Sequence, residues 1–129
     1  MAKIFLSHSL DDAAYAERLA KALKWDVTRS RDDRELAFDE GFGFGMSFVI
    51  KEADAVVVLV SEQALKSGWV MTELGIAWAT KKRIIPVLVP DSQLRKADVE
   101  GPLSTLYWLE GGKATVSDIA IRIEKAIAE

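Results

Sequence analysis

Short apolar runs rich in β-branched residues, each bounded by polar or turn-forming residues, predict five β-strands along the chain. They lie at Ile4 to Leu6, Ala55 to Val60, Ile84 to Val89 and Leu106 to Leu109, with a shorter candidate at Trp25 to Thr28. The run from Ala55 to Val60 is apolar at every position, which is typical of a strand covered on both faces in a parallel sheet.

Segments of helical period separate the predicted strands. Apolar residues recur at helical spacing from Ala16 to Leu23 and from Ile119 to Ile127. A hydroxyl residue followed three positions later by aspartate predicts a capped helix start before each segment, at Ser9 with Asp12 and at Thr115 with Asp118. Alternating strands and helices predict one α/β domain over residues 1–129, a three-layer flavodoxin-like fold with helices on both faces of a parallel sheet. Ligands of such folds bind beyond the carboxyl ends of the strands.

Two features depart from a simple alternation. Pro86 lies inside a predicted strand, and because proline lacks a backbone N–H it predicts an edge strand or a bulge there. The segment from Ser30 to Gly45 is the long loop candidate, with charged residues followed by three glycines and three phenylalanines. Its glycines lack the spacing of a phosphate-binding loop, and Phe44 and Phe48 are expected to pack at the start of the next helix.

Composition and charge exclude several classes of function. The formal net charge is −3, so the chain has no basic field that would hold nucleic acid or an anionic membrane. The absence of cysteine excludes disulfides, thiolate zinc sites and cysteine nucleophiles, and a single histidine argues against a histidine-based metal site. With neither a signal-peptide pattern nor a membrane-length apolar run, we expect a cytoplasmic protein.

Trp69 and Glu73 are the residue pair with the clearest chemical potential. They are four residues apart, so they share one face of a predicted helix. An indole beside a carboxylate suits a sugar, because the indole offers a stacking surface and the carboxylate accepts hydrogen bonds from the sugar hydroxyls. The alternative is a tryptophan core anchor beside a solvated glutamate. His8 follows the first strand, where it is either a ligand contact or a structural hydrogen bonder. A phospho-accepting receiver domain would need an aspartate at the end of the strand that begins at Ala55. This chain has Ser61 there, which argues against a receiver domain.

Taken together, four motifs resemble the Toll/interleukin-1 receptor (TIR) domain family, bacterial branch. They are Ile4 to Ser9, Ala53 to Ser61, Ser67 to Leu74 with its Trp-Val-Met-Thr-Glu sequence, and Arg83 to Val89 with its proline. The resemblance covers nearly the whole chain and implies a five-stranded parallel sheet. It identifies Ser30 to Gly45 as the BB loop, which in this family shapes the nucleotide pocket and contacts neighbouring domains.

The resemblance also implies an activity and its residues. Many TIR domains cleave NAD at the nicotinamide–ribose bond, as glycohydrolases or cyclase-type transferases, and Glu73 matches their catalytic glutamate. NAD is then the substrate, and no cofactor or metal is implied. Trp78 is expected to be buried packing. By the same resemblance the substrate-binding residues are Ser7, His8, Ser9, Asp33, Arg34, Phe38, Phe42 and Trp69.

Partners and competing functions follow from the same family. The implied setting is bacterial anti-phage immunity, with other TIR domains as partners by self-assembly and with a separately encoded effector or sensor protein. A second hypothesis is a non-catalytic module that acts by homotypic assembly through the BB loop. A third is a nucleoside-processing enzyme of similar shape, in which a glutamate attacks deoxyribose.

Overall fold

A computed structural model describes residues 2–30 and 44–128 of the chain. The strands of this part are β1 (Lys3–Ser7), β2 (Asp26–Arg29), β3 (Ala55–Val60), β4 (Arg83–Leu88) and β5 (Leu109–Glu110). They pair in parallel in one sheet of order β2-β1-β3-β4-β5. This is the flavodoxin-like strand order, so the predicted fold class is confirmed.

Helices connect the strands and cover both faces of the sheet. In the described residues they are α1 (Ala13–Ala22), α2 (Phe44–Glu52), α3 (Glu62–Leu65), α4 (Gly68–Ala79) and α5 (Val116–Ala128), with 3₁₀ turns at Leu10–Asp12, Lys96–Asp98, Pro102–Thr105 and Gly111–Lys113. Within the described ranges, no helix is long and apolar enough to cross a membrane.

Two apolar cores lie on the two faces of the sheet. Every residue of β3 is buried, as its continuous apolar pattern predicts. Its alternate side chains point to opposite faces: Val57 and Leu59 pack with residues of α1 and α5, and Val56 and Val58 pack with residues of α2 and α4. The three-layer architecture therefore follows from a strand pattern with no polar side.

The last two strands correct the predicted boundaries. The run from Leu106 to Leu109 contributes only Leu109 to β5, because a 3₁₀ turn that closes at Leu106 precedes it. The carbonyl of Leu103 in this turn accepts the indole N–H of Trp108. The strand containing Pro86 is not the edge strand, since β5 pairs beyond it. However, β5 pairs only with Val87 and Leu88, so β4 has no described ladder partner beside Pro86 on that side.

The helix starts confirm one predicted cap and correct the other. Thr115 Oγ1 accepts the N–H of Asp118 at 3.1 Å, as predicted. At the other predicted cap, the Ser9 hydroxyl donates to Asp12 Oδ2 at 2.9 Å instead of accepting a backbone N–H. The N–H of Asp12 donates to the carbonyl oxygen of Ser9 at 3.1 Å. The first helix therefore begins with a 3₁₀ turn rather than a side-chain cap.

Three other predictions fail within the described residues. Gly45 lies inside α2, which begins by Phe44, so the loop predicted to extend to Gly45 ends earlier. Tertiary packing, with Ile50 fully buried, outweighs the low helix propensity of glycine there. Phe48 and Trp78 are 57% and 48% exposed and do not pack as predicted. Trp78 lies just beyond Ala77, the last residue of the buried stripe of α4.

Tyr15 provides a stability prediction. Its ring is buried, and its hydroxyl has no hydrogen-bond partner among the described residues. Burial raises the pKa of Tyr15 above 10.0, and the nearby Arg18 cation offsets only part of this increase. The unfolded chain therefore loses the phenolic proton first, and stability from this group is lost as pH rises above about 10. We expect Tyr15→Phe to stabilise the fold at neutral pH by up to about 1 kcal/mol and to reduce the alkaline loss.

Urea unfolding at neutral and alkaline pH measures both effects. Tyr107→Phe is the matched control, because Tyr107 is 82% exposed. An alkaline loss of equal size in wild type and Tyr15→Phe would exclude Tyr15 as its source.

Candidate functional site

Buried polar side chains are concentrated in one region of the described residues, the carboxyl end of the sheet. Ser7 ends β1, Ser30 follows β2 directly, Ser61 follows β3, and Glu73 reaches the same edge from α4. Burying a charged group costs free energy unless hydrogen bonds compensate for lost water, so such a cluster has to be internally bonded. The buried polar set among these residues is Ser7, His8, Ser9, Ser30, Ser61 and Glu73.

The position of Glu73 follows from the direction of α4. This helix begins at Gly68, close to the carboxyl end of β3, where the Ser67 side chain accepts the N–H of Val70 as an N-cap. Helical side chains tilt toward the helix N-terminus, which here points to the carboxyl edge of the sheet. Glu73 also lies in the buried stripe of α4, directly before Leu74, so its carboxylate is directed between helix and sheet rather than into solvent.

Among the described residues, three donors contact the carboxylate of Glu73, which has no exposed surface. The hydroxyls of Ser7 and Ser30 donate to Oε1 at 2.7 and 2.8 Å, and the indole N–H of Trp69 donates to Oε2 at 3.0 Å. An indole nitrogen can only donate, so Trp69 is the donor in its bond to Glu73. The carboxylate is therefore held at both of its oxygens.

The loop after β1 is fixed to the same group of residues. The backbone N–H of His8 donates to Ser30 Oγ at 2.9 Å, so the hydroxyl that holds Glu73 also holds this loop. His8 Nδ1 lies 2.8 Å from the carbonyl oxygen of Ser9. Because a carbonyl only accepts, the proton of a neutral His8 imidazole is assigned to Nδ1.

A second hydrogen-bonded group lies beside the first. Asp12 Oδ2 accepts the hydroxyls of Ser9 and Ser61 at 2.9 and 2.6 Å, and Ser61 Oγ accepts the N–H of Ala64 at the start of α3. These contacts tie the turns after β1 and β3 together. The loop that carries His8 is thus fixed at both ends.

The structure brings four predicted site residues together with Glu73 or its neighbours. Trp69 and Ser7 contact its carboxylate directly, while His8 and Ser9 lie in the adjoining loop. Their predicted substrate contacts remain predictions. The other predicted binding residues, Asp33, Arg34, Phe38 and Phe42, lie outside the described residues.

Sequence reasoning named Ser30, Asp12 and Ser61 for other reasons and did not predict them as members of these groups. The signal for Ser30 is its register: Leu6 pairs with Arg29, so the residues that follow, Ser7 and Ser30, end neighbouring strands at the same level. A polar residue directly after each of two adjacent strands could have indicated the pair.

A cavity of about 360 Å³ opens at the same edge of the sheet. Its acidic lining includes Asp12, Glu62 and Asp91. The pKa of Glu62 is lowered by hydrogen bonds from its own backbone N–H, the Ser92 hydroxyl and the Gln93 N–H, so this carboxyl stays ionised. Negative charge makes the cavity unsuitable for a pyrophosphate. Among the residues that the structure describes, no cluster of three or more acidic or histidine side chains could hold a metal ion.

Comparisons with known proteins identify a family from the sequence and a shared fold from the structure. Residues 4–125 match the family model described as TIR domain. The solved TIR domain of the Toll-related receptor TRR-2 from Hydra magnipapillata superimposes with a TM-score of 0.65, at 13% sequence identity and over 98% of each chain. At that identity the likeness concerns the fold. No curated protein matches the sequence.

Proposed function

The chain belongs to the TIR domain family, and on that premise we propose that it cleaves NAD at the nicotinamide–ribose bond, with Glu73 as the catalytic carboxylate. The observation that carries the proposal is a fully buried carboxylate that accepts hydrogen bonds at both oxygens and lies beside an indole at the carboxyl edge of the sheet. A glutamate in the buried stripe of a helix contributes nothing to apolar packing. Three donors that fix its orientation are what a site for a developing positive charge requires.

The chemistry matches a single carboxylate. When the bond between ribose C1′ and nicotinamide breaks, its electron pair goes to the ring nitrogen, and the positively charged nicotinamide group leaves as a neutral molecule. No general acid is needed, and the ribose becomes an oxocarbenium-like cation. The negative charge of Glu73 stabilises this cation, and its carboxylate accepts a ribose hydroxyl.

The electrophilic carbon then needs a nucleophile. Water gives ADP-ribose and releases one proton, whereas attack by an atom of the same substrate gives a cyclic isomer. The shape of the pocket, rather than the type of catalytic residue, decides between them. Both products require the same first step at Glu73.

The proposed biological role is bacterial anti-phage signalling in the cytoplasm, with self-assembly and a separately encoded sensor or effector protein. Glu73 has no exposed surface in the isolated chain, so substrate needs a rearranged site. We therefore expect turnover per chain to rise with protein concentration, as assembly alters the site. Nicotinamide release from NAD over a protein dilution series, with products resolved by mass, tests this.

The same burial favours a second candidate function. A TIR domain whose carboxylate stays covered would act by homotypic assembly alone. Light scattering on the samples of the dilution series separates the two functions. Release that grows with assembly supports catalysis, whereas assembly without any loss of NAD supports the interaction module.

A further inference from the structure

We propose that Ser30 is a positioning residue for the carboxylate of Glu73, an inference that rests on the proposed function only for its effect on turnover. Ser30 is fully buried and directly follows β2. Its hydroxyl lies between the loop after β1 and the carboxylate on α4, with hydrogen bonds to both. It therefore joins three elements of the fold at a single oxygen.

The direction of each Ser30 hydrogen bond is determined by its neighbours. A hydroxyl has one proton to donate, and two acceptors lie in range: Glu73 Oε1 at 2.8 Å and the Leu6 carbonyl at 3.4 Å. The shorter, charge-assisted bond to Glu73 takes the proton. The same oxygen accepts the N–H of His8, which further polarises the O–H toward the carboxylate.

Ser30 and Ser7 both donate a hydrogen bond to the carboxylate of Glu73. Both hydroxyls donate to Oε1, so the proposed reaction assigns the contact with a ribose hydroxyl to Oε2. The terminal torsion of a glutamate is broad, and Ser7 at Oε1 and Trp69 at Oε2 each restrain it from one side. Ser30 adds a donor at Oε1 from the end of β2, which narrows the range of the carboxylate plane and hence the direction of Oε2. Ser30 thus orients the oxygen that would meet ribose without touching the substrate.

The indole N–H of Trp69 reports the carboxylate position independently of activity, because it donates to Oε2. In Ser30→Ala we expect the ¹H–¹⁵N resonance of this indole to move, as Oε2 turns away from it. Comparison with the spectrum of Trp69→Phe identifies the resonance among those of the four tryptophans. In assembled, active protein we expect kcat to fall about 10- to 100-fold with KM little changed.

Ser61→Ala is the matched control. Ser61 is another buried serine at the same edge that donates to a carboxylate, but its partner is Asp12. This variant loses a helix cap and some stability, and we expect its Trp69 resonance to match that of wild type. A resonance shift in both variants would indicate general loosening and overturn the proposal.

The remaining outcomes separate this proposal from the proposed function. An unmoved Trp69 resonance in folded Ser30→Ala contradicts positioning, whatever the activity. A raised KM with unchanged kcat contradicts it too, because that pattern indicates substrate binding. If wild type releases no nicotinamide but the resonance moves in Ser30→Ala alone, the NAD reaction is wrong and the positioning of Glu73 stands.

Discussion

Replacing Glu73 with glutamine is expected to lower nicotinamide release by at least about 100-fold, because the amide has the shape of the carboxylate but no charge to stabilise the oxocarbenium-like ribose. Glutamine is preferable to alanine here. Its one carbonyl oxygen can accept the hydroxyls of both Ser7 and Ser30, which alanine would leave buried without an acceptor. Initial rates at equal degrees of assembly measure the effect.

Two controls test whether the loss of activity in Glu73→Gln comes from the loss of the negative charge. Glu100→Gln makes the same change at an exposed glutamate and should keep the wild-type rate. The new amide group also faces the indole N–H of Trp69, a conflict of two donors that costs about 1–3 kcal/mol. Adding Trp69→Phe removes that conflict, so we expect the double variant to regain stability and to remain far less active than Trp69→Phe alone. Activity regained together with stability would mean that loss of folding had caused the inactivity.

Replacing Gly111 with alanine is expected to lower the free energy of unfolding by about 2–3 kcal/mol. This is the largest loss of stability that we predict for a single substitution in this protein. A Cβ atom at this position would lie 2.6 Å from the Tyr15 hydroxyl, 2.7 Å from the Leu88 carbonyl oxygen and 3.2 Å from a ring carbon of Pro90. The Leu88 oxygen belongs to the backbone of β4 and cannot move aside alone. Urea denaturation measures the change.

Gly112 provides the matched control for this substitution. A Cβ there would meet only Pro90, at an ordinary contact distance of 3.8 Å, so Gly112→Ala should change stability by no more than about 0.5 kcal/mol. Adding Tyr15→Phe to Gly111→Ala removes one of the two short contacts and should restore part of the loss. Equal stability of the two alanine variants would contradict the close packing at Gly111.

The fold could be predicted where one physical signal dominated. The uninterrupted apolar run of β3 required cover on both faces, and Thr115 capped α5 as its spacing indicated. Predictions failed where tertiary contacts decided. Gly45 is helical despite its propensity, and the strand predicted from Leu106 begins only at Leu109 because a 3₁₀ turn precedes it.

The site was predictable in part for a similar reason. The spacing of Trp69 and Glu73 on one helix is local, so the sequence alone placed the indole beside the carboxylate. Contacts across long sequence separations were not accessible in the same way. Ser30 and Glu73 are 43 residues apart, and only the pairing of β1 with β2 brings the Ser30 hydroxyl to the edge that Glu73 reaches.

The most direct test of Glu73 as the centre of an NAD-cleaving site is nicotinamide release by wild type, Glu73→Gln and Glu100→Gln, with products resolved by mass, at a concentration where all three assemble. We expect wild type and Glu100→Gln to release nicotinamide at equal rates and Glu73→Gln to release almost none. ADP-ribose as the product would identify water as the nucleophile, and a cyclic product lighter by one water would identify internal attack. Release by Glu73→Gln at the wild-type rate, or no release by assembled wild type, would contradict the proposed catalytic role.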